Sequence, residues 1–296
     1  MVDVLCIGHV AYDVTLPLKD YPLENSKYVI DYKIEGGGGP ASNAAYLLSK
    51  WGIKTSFIGL LGDDAYGKNI IEEFKNVGTD TSMVKMAKDY PTPYSTILVN
   101  IKSGTRTIIN CKVPYSQLDI DQKDLEKLNP KVMLFDGHEL KTSIKAIELF
   151  PNAKTILDAG SVREGTLVLG ERVDYLIVSE NFALSYCEME SLKNENDYEE
   201  CMSKMKKLNK HGQIVVTLGE RGLIYEEKGK VKSLDAYKVK AVDTTGAGDI
   251  FHGAFAYGLI NNYSLIENLK LSSKTSAISV QTLGGRKSIP DKDKII

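Results

Sequence analysis

The chain has 296 residues, 43% of them hydrophobic, and its 37 basic and 39 acidic side chains leave a formal net charge of −2. That balance argues against a global electrostatic attraction to nucleic acid or an anionic membrane. The length suits one large α/β domain with an appendage, and the scattered Cys6, Cys111, Cys187 and Cys201 lack the spacing of a zinc site and fit structural thiols in a reducing compartment.

The N-terminal run Met1–Ile7 has no basic region and is too short for a signal peptide. No window approaches the roughly 20 apolar residues of a membrane span, so a cytoplasmic location is expected. Val4 to Ile7 reads as the first strand, and Asp13 lies just beyond its end, where open α/β sheets bind ligands and a turn former is also common. Residues Thr15 to Ile34 then carry no helical period. Helices are expected over Ala41–Lys50 and Ala65–Asn76, on either side of an apolar run from Thr55 to Leu61. Tyr94 to Cys111 forms two β-like runs around Lys102-Ser103-Gly104. In the first run Tyr94, Thr96, Leu98 and Asn100 share one face, and Ser95, Ile97, Val99 and Ile101 the other.

Further along, apolar runs at Val132–Phe135, Thr155–Leu157, Tyr175–Val178 and Ile214–Leu218 alternate with expected helices at Ser143–Leu149 and Glu199–Leu208. Continuous rather than alternating runs suit strands buried on both faces, which predicts a mostly parallel sheet between two helical layers. A hairpin is expected around Lys228-Gly229, and helices over Gly248–Ile260 and Ile266–Val280 close the chain. The pattern divides into an αβα core of residues 1–12, 36–91 and 113–296 and a small β-sheet lid of residues 13–35 and 92–112. A lid with apolar residues on both faces covers the site with one and pairs with a second subunit through the other; an ordinary peripheral hairpin is the plainer alternative.

The most informative segment is Asp243-Thr244-Thr245-Gly246-Ala247-Gly248-Asp249, which opens directly into an apolar helix. Backbone N–H groups of Gly246, Ala247 and Gly248 have no intrahelical partner there and point where a phosphate sits. Asp249 beside them is a carboxylate placed where charge is transferred, which suggests phosphoryl transfer. Two rival glycine motifs fit phosphate less well. Gly62-Asp63-Asp64-Ala65-Tyr66-Gly67-Lys68-Asn69 has P-loop spacing, but two aspartates would face the phosphates and Asn69 replaces the metal-binding hydroxyl, so a structural strand-to-helix turn is expected. Gly36-Gly37-Gly38-Gly39-Pro40-Ala41 matches a dinucleotide fingerprint in letters yet does not follow the first strand. Its glycines let a ligand's hydroxyl groups approach the backbone. Asn43, one turn into the helix, either serves a polyol as donor and acceptor or caps the helix surface. Thr217-Leu218-Gly219-Glu220-Arg221-Gly222 is either an approach to nucleotide phosphates or a tight turn. His9 and His138 follow strands and are candidates for a cleft lining, whereas His252 reads as packed. Arg106 and Arg163, if they face the cleft, imply an acceptor carrying phosphate or sulfonate.

Taken together, Asp13, the Gly36–Asn43 segment, Gly62-Asp63-Asp64 with Gly67, Thr217–Gly222 and Asp243–Asp249 resemble the PfkB (ribokinase-like) carbohydrate kinases in order and spacing, over essentially the whole chain. The resemblance implies a doubly wound three-layer αβα ribokinase-like domain with a small β-sheet lid. It implies Asp249 as catalytic base and Gly246, Ala247 and Gly248 as the anion hole. Asp13, Gly38, Gly39 and Asn43 then bind substrate hydroxyls, with Arg106 and His138 as further substrate contacts. Thr217, Gly219 and Gly222 fall on the ATP side, Mg2+ accompanies the nucleotide, and Asp243, Thr245, Gly284 and Ser288 are candidate ligands of a monovalent cation such as K+.

One departure matters. Where the family usually carries N-x-x-E, this chain reads Ser179-Glu180-Asn181-Phe182, leaving Glu180 to act on metal-bound water. That version, with Phe135-Asp136-Gly137-His138, looks more like ketohexokinase and sulfofructose kinase than ribokinase or adenosine kinase, so a ketose-like acceptor is expected. A sugar or nucleotide sensor that kept the fold and lost catalysis, and a kinase for a nucleoside or a sugar acid, are the alternatives. The partners expected are a small sugar and a second copy of the chain through the lid.

Overall fold

Val4–Ile7 (β1) is buried at every position because successive side chains enter different cores: Val4 and Cys6 pack on one side of the sheet, Leu5 and Ile7 on the other. The computed structural model describes residues 2–111 and 117–296; the expected core start at residue 1 and the lid-to-core boundary between residues 112 and 113 lie outside the described residues. After β1 come Ala11–Leu18 (β2), Ile34–Gly38 (β3), Pro40–Lys50 (α1), Thr55–Ile58 (β4), Leu60–Gly62 (β5), Ala65–Val77 (α2), Lys85–Ala87 (β6), Tyr94–Asn100 (β7) and Thr105–Cys111 (β8). Gln122–Leu125 (α3), Val132–Phe135 (β9), Leu140–Leu149 (α4), Lys154–Ala159 (β10), Glu164–Gly170 (α5), Tyr175–Ser179 (β11) and Glu180–Cys187 (α6) follow. Glu195–Leu208 (α7), Gln213–Thr217 (β12), Leu223–Glu227 (β13), Lys230–Leu234 (β14), Ala247–Ile260 (α8) and Leu265–Ser279 (α9) complete the order.

The main sheet runs β14-β13-β12-β11-β10-β9-β1-β4, parallel from β12 to β4 and antiparallel at β13 and β14. Helices α1, α2, α8 and α9 pack on one face, and α3 to α7 on the other. The chain leaves β1 in one direction toward β4 and in the other through β9 to β12. The strand order therefore reverses between β1 and β9, and the ends of these two strands open the crevice in which doubly wound sheets bind ligands.

A second sheet, β3-β2-β7-β8, stands beside the first. It takes in Ala11, Tyr12 and Gly36–Gly38, which the sequence pattern assigned to the core, because glycines pair through the backbone as well as any residue. Asp13 consequently lies opposite Gly36 on one side and Ser95 on the other. Ser95, Ile97 and Val99 form the buried face of β7 as alternation requires, but Ile101 lies beyond the strand in the turn to β8 and is exposed. The run Thr55–Leu61 also divides. At Gly59 the backbone presses on the Gly8 carbonyl, where a Cβ would stand 2.8 Å away, and β5 continues into a separate pair with β6.

The P-loop-like segment is a strand-to-helix turn. Asp64 caps α2, accepting from the Gly67 N–H at 2.8 Å, and also takes the Thr92 N–H at 2.8 Å and the Thr92 hydroxyl at 2.7 Å. No helix among the described residues is long and apolar enough to cross a membrane.

Candidate active site

The turn before α8 is pinned from below. Asp243 is buried, its Oδ1 accepting from the Thr245 N–H and its Oδ2 from the Gly284 N–H, both at 2.8 Å, which ties the turn to the C-terminal loop. Gly246 caps the helix at φ 74°, a left-handed conformation that costs any side-chain-bearing residue energy. The first N–H groups of α8 have no acceptor within the helix. Ala247 N–H reaches only the Thr244 carbonyl, at 3.4 Å, and a Cβ on Gly248 would meet nothing within 4 Å. Space is thus open beside the turn at Gly248.

Asp249 sits in that first turn, and its Oδ2 accepts a 2.7 Å hydrogen bond from Asn43 Nδ2 on α1. Burial pushes its carboxyl above the usual carboxylate range; the Asn43 donor, His252 and Arg106 pull it back, and Asp136 pushes it further up. His252 is packed, as expected: its Nδ1 lies 2.7 Å from the Gly248 carbonyl and 3.1 Å from Asp158 Oδ2. Asp158 is pushed up to about 6 by burial, with His252 opposing.

Asp13 reaches the same corner from β2. Burial raises its carboxyl to about 6 against the Ser95 hydroxyl, and Asp249 adds to the rise. Gly38 is glycine because Asp13 lies on it: a Cβ there would stand 1.9 Å from Asp13 Oδ2. The glycine run therefore makes room for this chain's own side chains as well as for a ligand. Asn43 Oδ1 accepts from Arg286 Nε at 3.2 Å, and Arg286 donates through Nη1 to Glu73 Oε2 at 2.8 Å and through Nη2 to the Ser42 hydroxyl. A cavity of about 180 Å³ opens here, reaching Asp13 and Arg286 but not Asn43 or Asp249.

At the switch point, Asp136 is fully buried after β9 and accepts from the N–H groups of His9 (2.7 Å), His138 (3.0 Å) and Ala41 (3.3 Å). Burial opposes its ionisation, but His138, His9 and the backbone donors together hold the carboxyl well below the usual range. His9 and His138 stack at 4.7 Å, and burial lowers His9 to about 4. His138 does not present a ring nitrogen to the crevice: Nδ1 lies 3.1 Å from Asp136 Oδ1 and Nε2 2.6 Å from Arg163 Nη1. Arg163 also donates to the Asp136 carbonyl at 3.1 Å. Arg106, on β8, donates to Thr244 Oγ1 at 2.7 Å, so it stands over the anion turn. Thr244 Oγ1 in turn reaches the Gly104 carbonyl at 3.2 Å, fastening the second sheet to that turn.

The expected nucleotide residues gather at the ends of β11 and β12. Thr217 donates to the Val178 carbonyl at 3.2 Å; Gly219 and Gly222 have φ of 60° and 93°. Ser179 caps α6 by accepting from the Phe182 N–H at 3.1 Å, and Phe182 is fully buried in the apolar core. Glu180 pairs with Arg221 at 2.5 Å, which joins the Ser179–Phe182 segment to the Thr217–Gly222 turn. Among the expected cation ligands, Asp243 and Gly284 are directly bonded, Ser288 donates to the Gly285 carbonyl at 2.8 Å, and the buried Thr245 hydroxyl has no hydrogen-bond partner.

Arg286 and Glu73 escaped the sequence reading, and Arg221 entered it only as a member of the Thr217–Gly222 turn. Only Gly284 and Ser288, flanking Arg286, marked that loop at all.

The fold defines a class: a doubly wound α/β domain with a small accessory sheet and a glycine-capped helix start at the crevice. Residues 1–292 match the model of the pfkB family carbohydrate kinases. A ribokinase of Dictyostelium discoideum is 30% identical over 280 residues, covering 87% of this chain and 88% of its own. A 5-dehydro-2-deoxygluconokinase of Clostridium beijerinckii is 28% identical over 320 residues, covering 99% and 91%. The structure of Arabidopsis thaliana ribokinase complexed with ribose and ATP superposes with a TM-score of 0.81 at 23% identity, over 99% of this chain and 97% of that one. The chain belongs to the pfkB family of carbohydrate kinases, and it is a sugar phosphotransferase with the ribokinase-like fold.

Proposed function

We propose that this kinase transfers the γ-phosphate of ATP to a hydroxyl of a small sugar, with Asp249 as general base and the Gly246-Ala247-Gly248 turn as anion hole. The observation that carries the reading is the Asn43–Asp249 hydrogen bond at the glycine-capped helix start, in whose first turn Asp249 sits. Asn43 holds one carboxylate oxygen, and the other takes the acceptor proton. The acceptor oxygen then bonds to the γ-phosphorus as the bond to the β–γ bridging oxygen breaks, and ADP leaves. Charge on the transferred group is met by the turn's N–H groups and by Arg106, which stands on Thr244. A loose transition state asks little of the base, so a carboxylate suffices. Asp13, with the backbone of Gly38 and Gly39, orients the sugar, and the second sheet excludes water from the transfer.

Thr217, Gly219 and Gly222 lie on the nucleotide side. Magnesium, when bound, neutralises the β- and γ-phosphate oxygens, and Glu180 would face its water shell. Among the described residues no group of three or more His, Cys, Asp or Glu side chains forms a metal cage, and an ion that arrives on the nucleotide and keeps its waters needs none. Asp243, Thr245, Gly284 and Ser288 would hold a monovalent cation; the unpartnered Thr245 hydroxyl supports that placement.

For the acceptor we put a ribose-sized sugar first. The ketose expectation rested on the Ser179–Phe182 and Phe135–His138 segments; the polar atoms of the second face Arg163 and one another, and the relatives reported above are named for ribose and 5-dehydro-2-deoxygluconate. A homodimer through the lid is supported by β8, which is exposed along its whole length, Ile108 on one face and Ile109 on the other; a monomer in solution scattering would contradict it. The test of function is ATP consumption over aldopentoses, ketoses, sugar acids and nucleosides. Turnover on a sugar is expected, and saturable sugar binding without turnover on any of them would replace the enzyme with a sensor.

A further inference from the structure

We infer that Arg286 is a positioning residue for phosphoryl transfer, acting through Asn43 on Asp249; the inference rests on the proposed role of Asp249 as base. Arg286 is buried, 6% exposed, in the loop that follows α9, and its guanidinium has a defined partner on each side. Nε donates to Asn43 Oδ1, Nη1 to Glu73 Oε2 and Nη2 to the Ser42 hydroxyl, while the planar group lies 4.8 Å from the Phe74 ring centroid and 5.1 Å from that of Tyr46. A guanidinium fork held on three bonds between two rings has one orientation.

That orientation is passed on. An asparagine amide flips at little cost unless both ends are engaged, and Asn43 is engaged at both: a donor-only group meets its oxygen, and an acceptor-only carboxylate meets its nitrogen. Arg286 thereby fixes which oxygen of Asp249 is tied and which faces the acceptor. The same group sets the distance between the two glycine segments. Gly37 packs on it, where a Cβ would stand 2.1 Å from Nη1, and the Gly37 N–H donates to the Glu73 oxygen that Nη1 also uses, at 2.9 Å. Its neighbour Gly285 backs onto Gly246, 3.2 Å from where a Cβ of that residue would be. One buried cation thus locks the acceptor strand, the base and the anion turn in register.

The test compares Arg286→Lys, Asn43→Ala, the double variant and Asp249→Asn under steady-state kinetics with the panel's best sugar. Lysine keeps the charge and cannot supply the fork. Arg286→Lys is expected to lower kcat about 30-fold while KM for sugar and ATP stays within about threefold, because the lost interaction orients the reacting groups rather than binding them. In the Asn43→Ala background the same substitution should lower kcat by less than about threefold, since the mediator is already gone. A wild-type kcat for Arg286→Lys, a loss confined to KM, or equal losses in both backgrounds would overturn the inference. Should Arg286→Lys fail to fold, Arg286→Gln with Glu73→Gln removes both charges together and avoids an uncompensated buried ion, under the same expectations. Asp249→Asn separates the two levels of argument: if it keeps turnover the base assignment fails, whereas if it is inactive and Arg286→Lys is not, only the positioning role fails.

Discussion

The acceptor corner and the nucleotide rim lie at the same edge of the main sheet and are built on opposite terms. In the corner, Arg286 is buried, Asp13 and Asp249 are half-buried, all three are bonded to one another's neighbours, and burial is the first cause of the raised carboxyls of Asp13 and Asp249. At the rim, Glu180 pairs with Arg221, whose side chains are 30% and 39% exposed, beside the backbone turn at Gly219 and Gly222. The corner spends solvation to hold charges at fixed positions, so changes there alter chemistry and stability together. Under the proposed function the rim holds a ligand that brings its own charge, so changes there should alter binding.

The largest effect that tests this contrast is at Asp249. Asp249→Asn keeps the shape and the Asn43 neighbour but cannot take a proton, and it should lower kcat by about 10³-fold with the ATP dissociation constant within about threefold. The wild-type kcat/KM should fall with acid along a limb lying above the ordinary carboxylate value of 3.8, because the base works ionised and burial holds its proton more tightly. Loss of ATP affinity as large as the loss of kcat would show that corner and rim are a single site.

How much of this was legible in the sequence follows the same division. Val4–Ile7 and Val132–Phe135 were readable as strands because both faces are buried and the apolar run is continuous. Helix α6 was not, since Ser179 ends β11 and caps the helix with no intervening loop to mark the change. Asp249 and its turn stood out because the glycine-capped helix start and the carboxylate come from one local segment. Asn43 was legible as a polar residue but not as half of a clamp: its partner Arg286 is 243 residues away, and an arginine's burial leaves no local pattern. The glycines of β3 were read as space for a ligand, whereas Asp13, folded back from the neighbouring strand, fills part of that space. Long-range pairs between single residues are what periodicity and spacing cannot carry.

The rim gives the next effect in size. Glu180→Gln removes the charge that holds Arg221 and should raise KM for ATP by about three- to tenfold, while an ion pair this exposed changes stability by less than about 1 kcal/mol. A thermal midpoint that drops along with ATP affinity would make the rim structural in the way the corner is.

The smallest effect is the most discriminating, because it reverses the usual sign of a polar-to-neutral change. Asp13 has a folded value of about 6 against an ordinary 3.8, so the folded chain binds that proton more tightly than the unfolded one. The stabilisation this gives is complete below 3.8 and is lost as pH rises through about 6; above that, folding must carry a buried charge. Asp13→Asn removes the charge and keeps the size, so it should raise the thermal midpoint by about 2–4 °C at pH 8, a gain that shrinks toward zero near pH 4. The same variant should lose sugar affinity, since an amide offers one acceptor oxygen where a carboxylate offers two. Stability gained and function lost at one residue is what a corner built on desolvated charge predicts. A midpoint that falls at pH 8 would mean that Arg286 and the Ser95 hydroxyl more than offset the burial of Asp13, and the acceptor corner would then be a stabilising network like any other.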